Sequence, residues 1–107
     1  MTVMERAPIR GVADAIVRAF APRRIILFGS HARGEAQPDS DIDLYVEMET
    51  DLRPPARAAA IAALFGLRTW SLDVLAHTPE EAARLSRQPA SFLSRIQAEG
   101  VVLHERT

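Results

Sequence analysis

Two segments of this chain alternate between apolar and polar side chains, and this pattern constrains the fold more than any other feature. Residues 41–46 read Asp-Ile-Asp-Leu-Tyr-Val, and residues 70–76 read Trp-Ser-Leu-Asp-Val-Leu-Ala. Successive side chains of a strand point to opposite faces of a sheet, so each segment predicts a strand with one buried face. A sheet buried on both faces would show continuous apolar runs instead. We therefore expect carboxylates on an open, polar face of a sheet.

Apolar periodicity and capping signals predict the other elements. Helices are expected over residues 9–20, 54–65, 79–87 and 89–99, a short helical turn over 30–35, and strands over 24–28 and 101–103. Thr78 and Glu81 have the spacing of a capping box, and Pro38 and Asp39 mark a loop. Alternating strands and helices predict an α/β fold, a small mixed β-sheet of three to four strands with helices on one face. The 107 residues are enough for a single domain, expected to span residues 1–107.

Composition excludes several functional classes. The net charge of −1 argues against broad binding to a nucleic-acid backbone or an anionic membrane. The chain has no cysteine, which excludes disulfides, thiolate metal sites and cysteine nucleophiles and is compatible with a reducing cytoplasm. Residues 1–10 contain no apolar run, so we expect no secretory signal, and no segment has the length of a membrane span. We expect a cytoplasmic protein.

Three aspartates form the first candidate site. Asp41 and Asp43 lie two apart on a predicted strand, so their side chains leave one face roughly 7 Å apart. Carboxylates this close repel each other, and Mg²⁺ relieves that repulsion because it prefers hard oxygen ligands. Asp73 lies on the polar face of another predicted strand in the same phase. If the two strands are neighbours, the three carboxylates are enough for a two-metal site that supports in-line phosphoryl chemistry.

Gly29 and Ser30 form the second candidate site, between a predicted strand and a short helical turn. Glycine lets backbone N–H groups approach an anion, and the serine adds a hydroxyl donor, so the pair predicts a phosphate cradle. Arg33 is placed to add a forked contact to a phosphate oxygen. A lone Gly-Ser or a lone surface Asp-x-Asp is commonplace. The joint pattern, with ten residues between Ser30 and Asp41, carries the prediction.

The two motifs together resemble a known signature. The run LFGSHARG at residues 27–34, followed by SDIDL at residues 40–44, resembles the DNA polymerase β-like nucleotidyltransferase superfamily. It is most similar to the minimal nucleotidyltransferases that pair with HEPN-domain toxins in bacteria and archaea. The resemblance implies the polymerase β-like nucleotidyltransferase fold, ATP as substrate and Mg²⁺ as cofactor.

The resemblance also implies roles for single residues. Asp41 and Asp43 would bind two magnesium ions, and Asp73 would bind the catalytic ion and help to deprotonate the acceptor hydroxyl. Gly29 and Ser30 would hold the triphosphate. A hydroxyl would attack the α-phosphorus of ATP and release pyrophosphate. The acceptor would be a tyrosine of the cognate HEPN-domain toxin, which makes the chain an antitoxin and part of a hetero-oligomer.

One position departs from the family pattern. Family members often carry arginine directly after Gly-Ser, where this chain has His31. Histidine can donate to a phosphate but is neutral for much of the time near pH 7. We therefore expect weaker or more pH-dependent nucleotide binding than in relatives with arginine.

Other functions and other residues remain open at this point. The chain is alternatively an antitoxin that acts by contact alone, or an adenylyltransferase of a small molecule such as an aminoglycoside. A role in nucleic-acid polymerisation is disfavoured by the charge. Among the remaining residues, Tyr45 is expected on the aspartate face, packed at the edge of the site, and Arg57 on the solvated surface. Phe92 is expected in the apolar stripe of the last helix.

Overall fold

The computed structural model describes residues 9–37 and 40–106. The expectations for the first eight residues and for the Pro38 and Asp39 loop therefore lie outside the described residues. The elements in chain order are α1 (Ile9–Phe20), β1 (Arg24–Phe28), α2 (Ser30–Arg33), β2 (Ile42–Glu47), α3 (Pro54–Ala62), β3 (Leu72–His77), α4 (Pro79–Ser86), α5 (Phe92–Glu99) and β4 (Val101–Glu105).

The predicted elements all occur, and their ends differ where local hydrogen bonding changes. Helix α3 ends at Ala62 instead of Phe65, because the amides of Leu64 and Phe65 donate to the carbonyls three residues back at 3.1 Å. Such bonds tighten the last turn of a helix into a 3₁₀ turn. Helix α4 begins with the predicted capping box, in which the Thr78 side chain accepts from the Glu81 amide.

The four strands form one mixed sheet in the order β3-β2-β1-β4. Strand β1 is antiparallel to both β2 and β4, whereas β2 and β3 are parallel. A parallel pair cannot be joined by a tight turn, and α3 supplies the crossover between β2 and β3. The predicted α/β class and the mixed sheet are confirmed, and the two alternating strands are neighbours.

The first face of the sheet carries the main core. Helix α1 packs there through Val12 and Ile16, and α3 packs there through Ile61. The strands contribute their alternate apolar residues, Ile25, Leu27, Ile42, Leu44, Val46 and Ala76. Each fully buried isoleucine or leucine stabilises the fold by roughly 1.5–3 kcal/mol, so this cluster dominates the stability.

The second face differs from the expectation of helices on one face only. Helices α4 and α5 cover its middle, where Ala82, Leu93 and Ile96 pack on Ile26 and the fully buried Tyr45. The reason lies in the register, which aligns Ile26 with Tyr45 and so places an apolar row across this face. Removal of this apolar row from water stabilises the fold, and the two helices provide the cover. The end of this face that carries Asp43 and Asp73 stays polar.

A buried ion pair fixes α3 to α4, and it corrects the expectation that Arg57 lies on the solvated surface. Arg57 is only 5% exposed, and its guanidinium donates to both carboxylate oxygens of Glu81 at 2.8 and 3.1 Å. It also donates to the Ala76 carbonyl at 3.1 Å. The carbonyls of Ser71 and His77 accept from amides on the β2 side, so the alternation of the strand turns the Ala76 carbonyl to the outer edge of the sheet. Arg57 therefore pairs one backbone carbonyl on the open edge of β3, a strand whose outer backbone groups have no neighbouring strand among the described residues.

None of the helices in residues 9–37 and 40–106 is long and apolar enough to cross a membrane.

Candidate active site

Gly29 makes the turn between β1 and α2. Its φ of +76° lies in the left-handed region that favours glycine. Its carbonyl accepts from the amides of Ala32 and Arg33 at 3.1 and 3.2 Å, which starts the short helix at Ser30. A Cβ built on Gly29 would overlap Oδ2 of Asp43. The Gly-Ser turn and the Asp-x-Asp strand are therefore in direct contact.

Asp43 and Asp73 lie side by side on the polar end of the second face. The parallel register of β2 and β3 pairs these two residues directly. On the other side of Asp43, the antiparallel register pairs it with Phe28, which immediately precedes Gly29. Across the sheet, the order is therefore the Gly-Ser turn, Asp43 and then Asp73. The strand adjacency on which the sequence prediction of this cluster depends is observed.

Asp41 lies just before β2, which begins at Ile42 and not at the predicted residue 41. Its side chain is exposed, and it lines an open cleft of about 510 Å³ together with Asp73. Arg68 and Trp70 line the same cleft, with the guanidinium 5.3 Å from the centre of the indole ring. This cleft lies on the β3 side of the carboxylates.

The ionised carboxylates repel one another. Partial burial raises the pKa of Asp43, and the negative charges of Asp73 and Asp41 raise it further, whereas His31 and Arg33 oppose the shift. None of the three carboxylates forms a salt bridge with a residue in the described part of the chain. A cluster of hard oxygen donors that has no salt-bridge partner among the described residues is chemically suited to a divalent ion such as Mg²⁺.

The carboxylates do not form a closed metal cage by themselves. Among the described residues, no three histidine, aspartate or glutamate side chains stand close enough together to hold an ion. Magnesium is commonly bound by one or two carboxylates, with waters and substrate phosphates as its remaining ligands. An open set of this kind therefore fits a magnesium ion that arrives with a nucleotide.

Arg33 is less available than the sequence suggested. Its Nε donates to Glu35 at 2.9 Å, and this contact raises the pKa of the exposed guanidinium. The charge of Asp43 acts on Arg33 as well, so the arginine lies near the carboxylates. A contact from Arg33 to a phosphate would use the guanidinium nitrogens that Glu35 leaves free.

His31 makes a contact that sequence reasoning missed. Its Nε2 lies 3.3 Å from the carbonyl oxygen of Ser40, so the imidazole donates to the residue that precedes Asp41. This hydrogen bond ties α2 to the start of the Asp-x-Asp segment. No pattern in the sequence marks it, because His31 lies in α2, Ser40 lies just ahead of the Asp-x-Asp segment, and the two residues are nine apart in the chain.

A second cavity, of about 220 Å³, lies on the β1 side of the site between α2 and α5. It is lined by Phe28, Gly29, Arg33, Phe92, Arg95 and Glu99, among others. Phe92, expected in the apolar stripe of the last helix, differs from Leu93 and Ile96 of that stripe, because its side chain is 56% exposed at this cavity while theirs are buried. The signal available in the sequence was the spacing of Phe92, Arg95 and Glu99, which places them on adjoining turns of one helix face.

Comparison with known proteins supports the same interpretation. The family model described as "Nucleotidyltransferase domain" matches residues 9–101. The fold is similar to the crystal structure of a candidate nucleotidyltransferase from Sulfolobus solfataricus, with a TM-score of 0.62 and 18% identity over 92% of this chain and 78% of the other. At that identity, the likeness concerns the fold. No curated protein matches the chain.

The matched region runs from α1 to the start of β4 and includes the Gly-Ser turn, the Asp-x-Asp strand and the strand of Asp73. Domains of this family generally use a nucleoside triphosphate and divalent metal ions. The chain belongs to the nucleotidyltransferase domain family.

Proposed function

We propose that this chain is a Mg²⁺-dependent protein adenylyltransferase that acts as an antitoxin. It transfers AMP from ATP to a hydroxyl, a tyrosine of a cognate HEPN-domain toxin, with which it forms a hetero-oligomer in the cytoplasm. One observation carries the proposal: Asp43 lies between the Gly29 turn and Asp73 at the polar end of the second face of the sheet. The resemblance of both motifs to the HEPN-associated minimal nucleotidyltransferases directs the choice of acceptor.

Asp41, Asp43 and Asp73 are the residues that would hold two magnesium ions. When bound, the ions supply charge stabilisation for the α-phosphate and lower the pKa of an oxygen nucleophile. The carboxylates of this chain favour that binding because Asp43 is partly buried, the three repel one another, and none has a salt bridge to the described residues.

Gly29 and Ser30 bind the triphosphate through backbone N–H groups and the Ser30 hydroxyl. The attacking and leaving oxygens of a phosphoryl transfer lie on opposite sides of the phosphorus. With pyrophosphate leaving on the β1 side, the acceptor hydroxyl enters on the β3 side, beside Asp73. The acceptor oxygen forms a bond to the α-phosphorus, the bond from that phosphorus to the bridging oxygen of pyrophosphate breaks, and the Asp73 carboxylate takes the hydroxyl proton.

The cleft on the β3 side has room for an acceptor that is part of another protein. It measures about 510 Å³ and is bordered by Leu67, whose side chain is fully exposed. An exposed leucine beside an arginine and a tryptophan is a composition common at protein contacts. The tyrosine of a partner would reach Asp73 through this cleft.

The test is transfer of label from α-³²P ATP to a co-encoded small helical protein, with Mg²⁺. We expect labelling by the wild-type chain, loss of labelling with Asp41→Ala and with Asp43→Ala, and normal labelling with Asp51→Ala, an exposed aspartate outside the site. Full transfer by both site variants would overturn the assignment of the carboxylates. Transfer to a small molecule but to no protein would overturn the choice of acceptor.

A growth assay separates catalysis from neutralisation by contact. Cells that express the toxin are expected to grow with the wild-type chain and to stop growing with the Asp41→Ala/Asp43→Ala double variant. If the double variant protects the cells as well as the wild type, the chain acts by binding alone.

A further inference from the structure

A small cavity adjoins the Gly29 end of the carboxylate cluster, between α2 and α5. Its volume of about 220 Å³ is below the roughly 300–1,000 Å³ of sites that enclose a whole drug-sized ligand. It therefore suits one planar ring system that belongs to a larger molecule. Gly29 lines both this cavity and the turn that leads into Ser30, so a molecule with phosphates at that turn reaches the cavity directly.

Two phenylalanines give the cavity its aromatic surface. Phe28 and Phe92 meet edge to face, with ring centroids 5.7 Å apart at an angle of 87°. The Phe92 side chain is 56% exposed, so the packing leaves much of it available to a ligand. Aromatic side chains in such settings stack on flat bases.

Charged groups border the aromatic surface. Arg95 and Glu99 lie on α5, and neither forms a salt bridge with a residue in the two described stretches. The planar guanidinium group of an arginine can also stack on a base, as an aromatic ring does. An ionised carboxylate only accepts hydrogen bonds, so Glu99 favours a ring with an exocyclic amine over one with a carbonyl at that position.

We propose that this cavity binds the nucleobase of the nucleotide, with Phe92 as the stacking surface and Glu99 as the acceptor for the amine of adenine. The inference rests on the proposed function, because it deepens the assignment of ATP. The other cleft, beside Asp41 and Asp73, lies on the side from which the acceptor enters and stays free for it. The nucleotide thus lies on the β1 side of the carboxylates and the acceptor on the β3 side.

The experiment measures binding by calorimetry, with Mg²⁺ and no acceptor, for ATP, ITP and inorganic tripolyphosphate. ITP replaces the exocyclic amine of adenine by a carbonyl, and tripolyphosphate lacks the nucleoside. Phe92→Ala is expected to weaken ATP binding about tenfold, because about 1.4 kcal/mol of stacking is lost. Its affinity for tripolyphosphate should stay within about twofold. Leu52→Ala, which also shortens an exposed apolar side chain far from the cavity, is the matched control.

Glu99→Gln is expected to reduce the preference for ATP over ITP about fivefold, because an amide can donate as well as accept. Glu49→Gln, an exposed carboxylate elsewhere, should leave the preference unchanged. Unchanged ATP affinity in Phe92→Ala, or an equal loss for ATP and tripolyphosphate, would overturn the inference. A wild-type chain that binds neither ATP nor tripolyphosphate would overturn the proposed function instead.

Discussion

The α-carbon of Gly29 packs against the carboxylate of Asp43, and this contact joins the two halves of the candidate site. A Cβ on Gly29 would overlap Oδ2 of Asp43 and stand 3.1 Å from its Cγ. Neither residue is near the other in the sequence, and the antiparallel pairing of β1 with β2 brings them together. The glycine is therefore needed for two reasons, its positive φ and the space that the aspartate occupies.

Gly29→Ala is expected to abolish nucleotide transfer, because the new methyl group must displace the Asp43 carboxylate. Gly34→Ala is a matched control, since Gly34 has nearly the same φ of +74° but a Cβ there would meet nothing within 4 Å. Both variants should lose about 1 kcal/mol of stability from backbone strain. Transfer rates and thermal unfolding measured side by side separate the two effects. Equal activity of the two variants would show that the overlap is relieved without moving Asp43.

The hydrogen bond from His31 to the Ser40 carbonyl predicts a positioning role. His31→Ala is expected to lower the rate of transfer about fivefold, which corresponds to the loss of one hydrogen bond of about 1 kcal/mol. His31→Gln places an amide nitrogen close to the position of Nε2 and should restore most of the rate, whereas His31→Leu should not. Initial rates at saturating ATP are the measurement. If all three variants have the same rate, the histidine acts through a different contact.

The elements of this fold follow largely from local signals. The capping box at Thr78 and Glu81 and the limits of α1 and β1 were all readable from the sequence. The packing of α4 and α5 on the second face was not readable from the sequence, because it depends on which strands are paired. The alternation of β2 marks Tyr45 as belonging to the aspartate face, and only the register shows that it joins Ile26 in an apolar row under α5.

The candidate site likewise combines features that local sequence patterns predict with contacts that they do not predict. The spacing of Asp41 and Asp43 and the phase of Asp73 predict a shared face, because strand periodicity is local. The partners of Arg33, His31 and Arg57 could not be predicted, since each contact bridges loops or elements whose relative position is set by packing. Long side chains are especially uncertain, because an arginine can serve a ligand, a neighbour or solvent from the same backbone position.

The ionised carboxylate of Asp43 is expected to lower the stability of the fold at pH 7, although the proposed function requires it. Burial and two neighbouring carboxylates raise its pKa, so the ionised form is less favourable in the folded state than in the unfolded state. Asp43→Asn should therefore raise the melting temperature at pH 7 without divalent cations, while it abolishes transfer. Asp51→Asn, at an exposed position, is the control and should change neither quantity. A lower melting temperature for Asp43→Asn would contradict this account of the cluster.

The ion pair of Arg57 and Glu81 predicts how the free energy of unfolding depends on pH in the acidic range. Hydrogen bonds from Arg57 lower the pKa of Glu81 from 4.5 to about 2, so the folded state binds this proton less readily than the unfolded chain. The pair therefore contributes its full stabilisation above pH 4.5, and the contribution disappears as the pH falls towards 2.

Glu81→Gln removes the charge and keeps an acceptor, so it should lower the free energy of unfolding at pH 7 by about 2 kcal/mol. The loss is below the ~3–5 kcal/mol of a fully buried pair because the Glu81 side chain is 27% exposed. The variant should also show a flatter decline of stability between pH 4.5 and 2 than the wild type. Glu80→Gln, in the same first turn but exposed, should reproduce the wild-type curve. Denaturant unfolding across this pH range is the measurement, and parallel curves for Glu81→Gln and wild type would show that the pair does not carry the acid sensitivity.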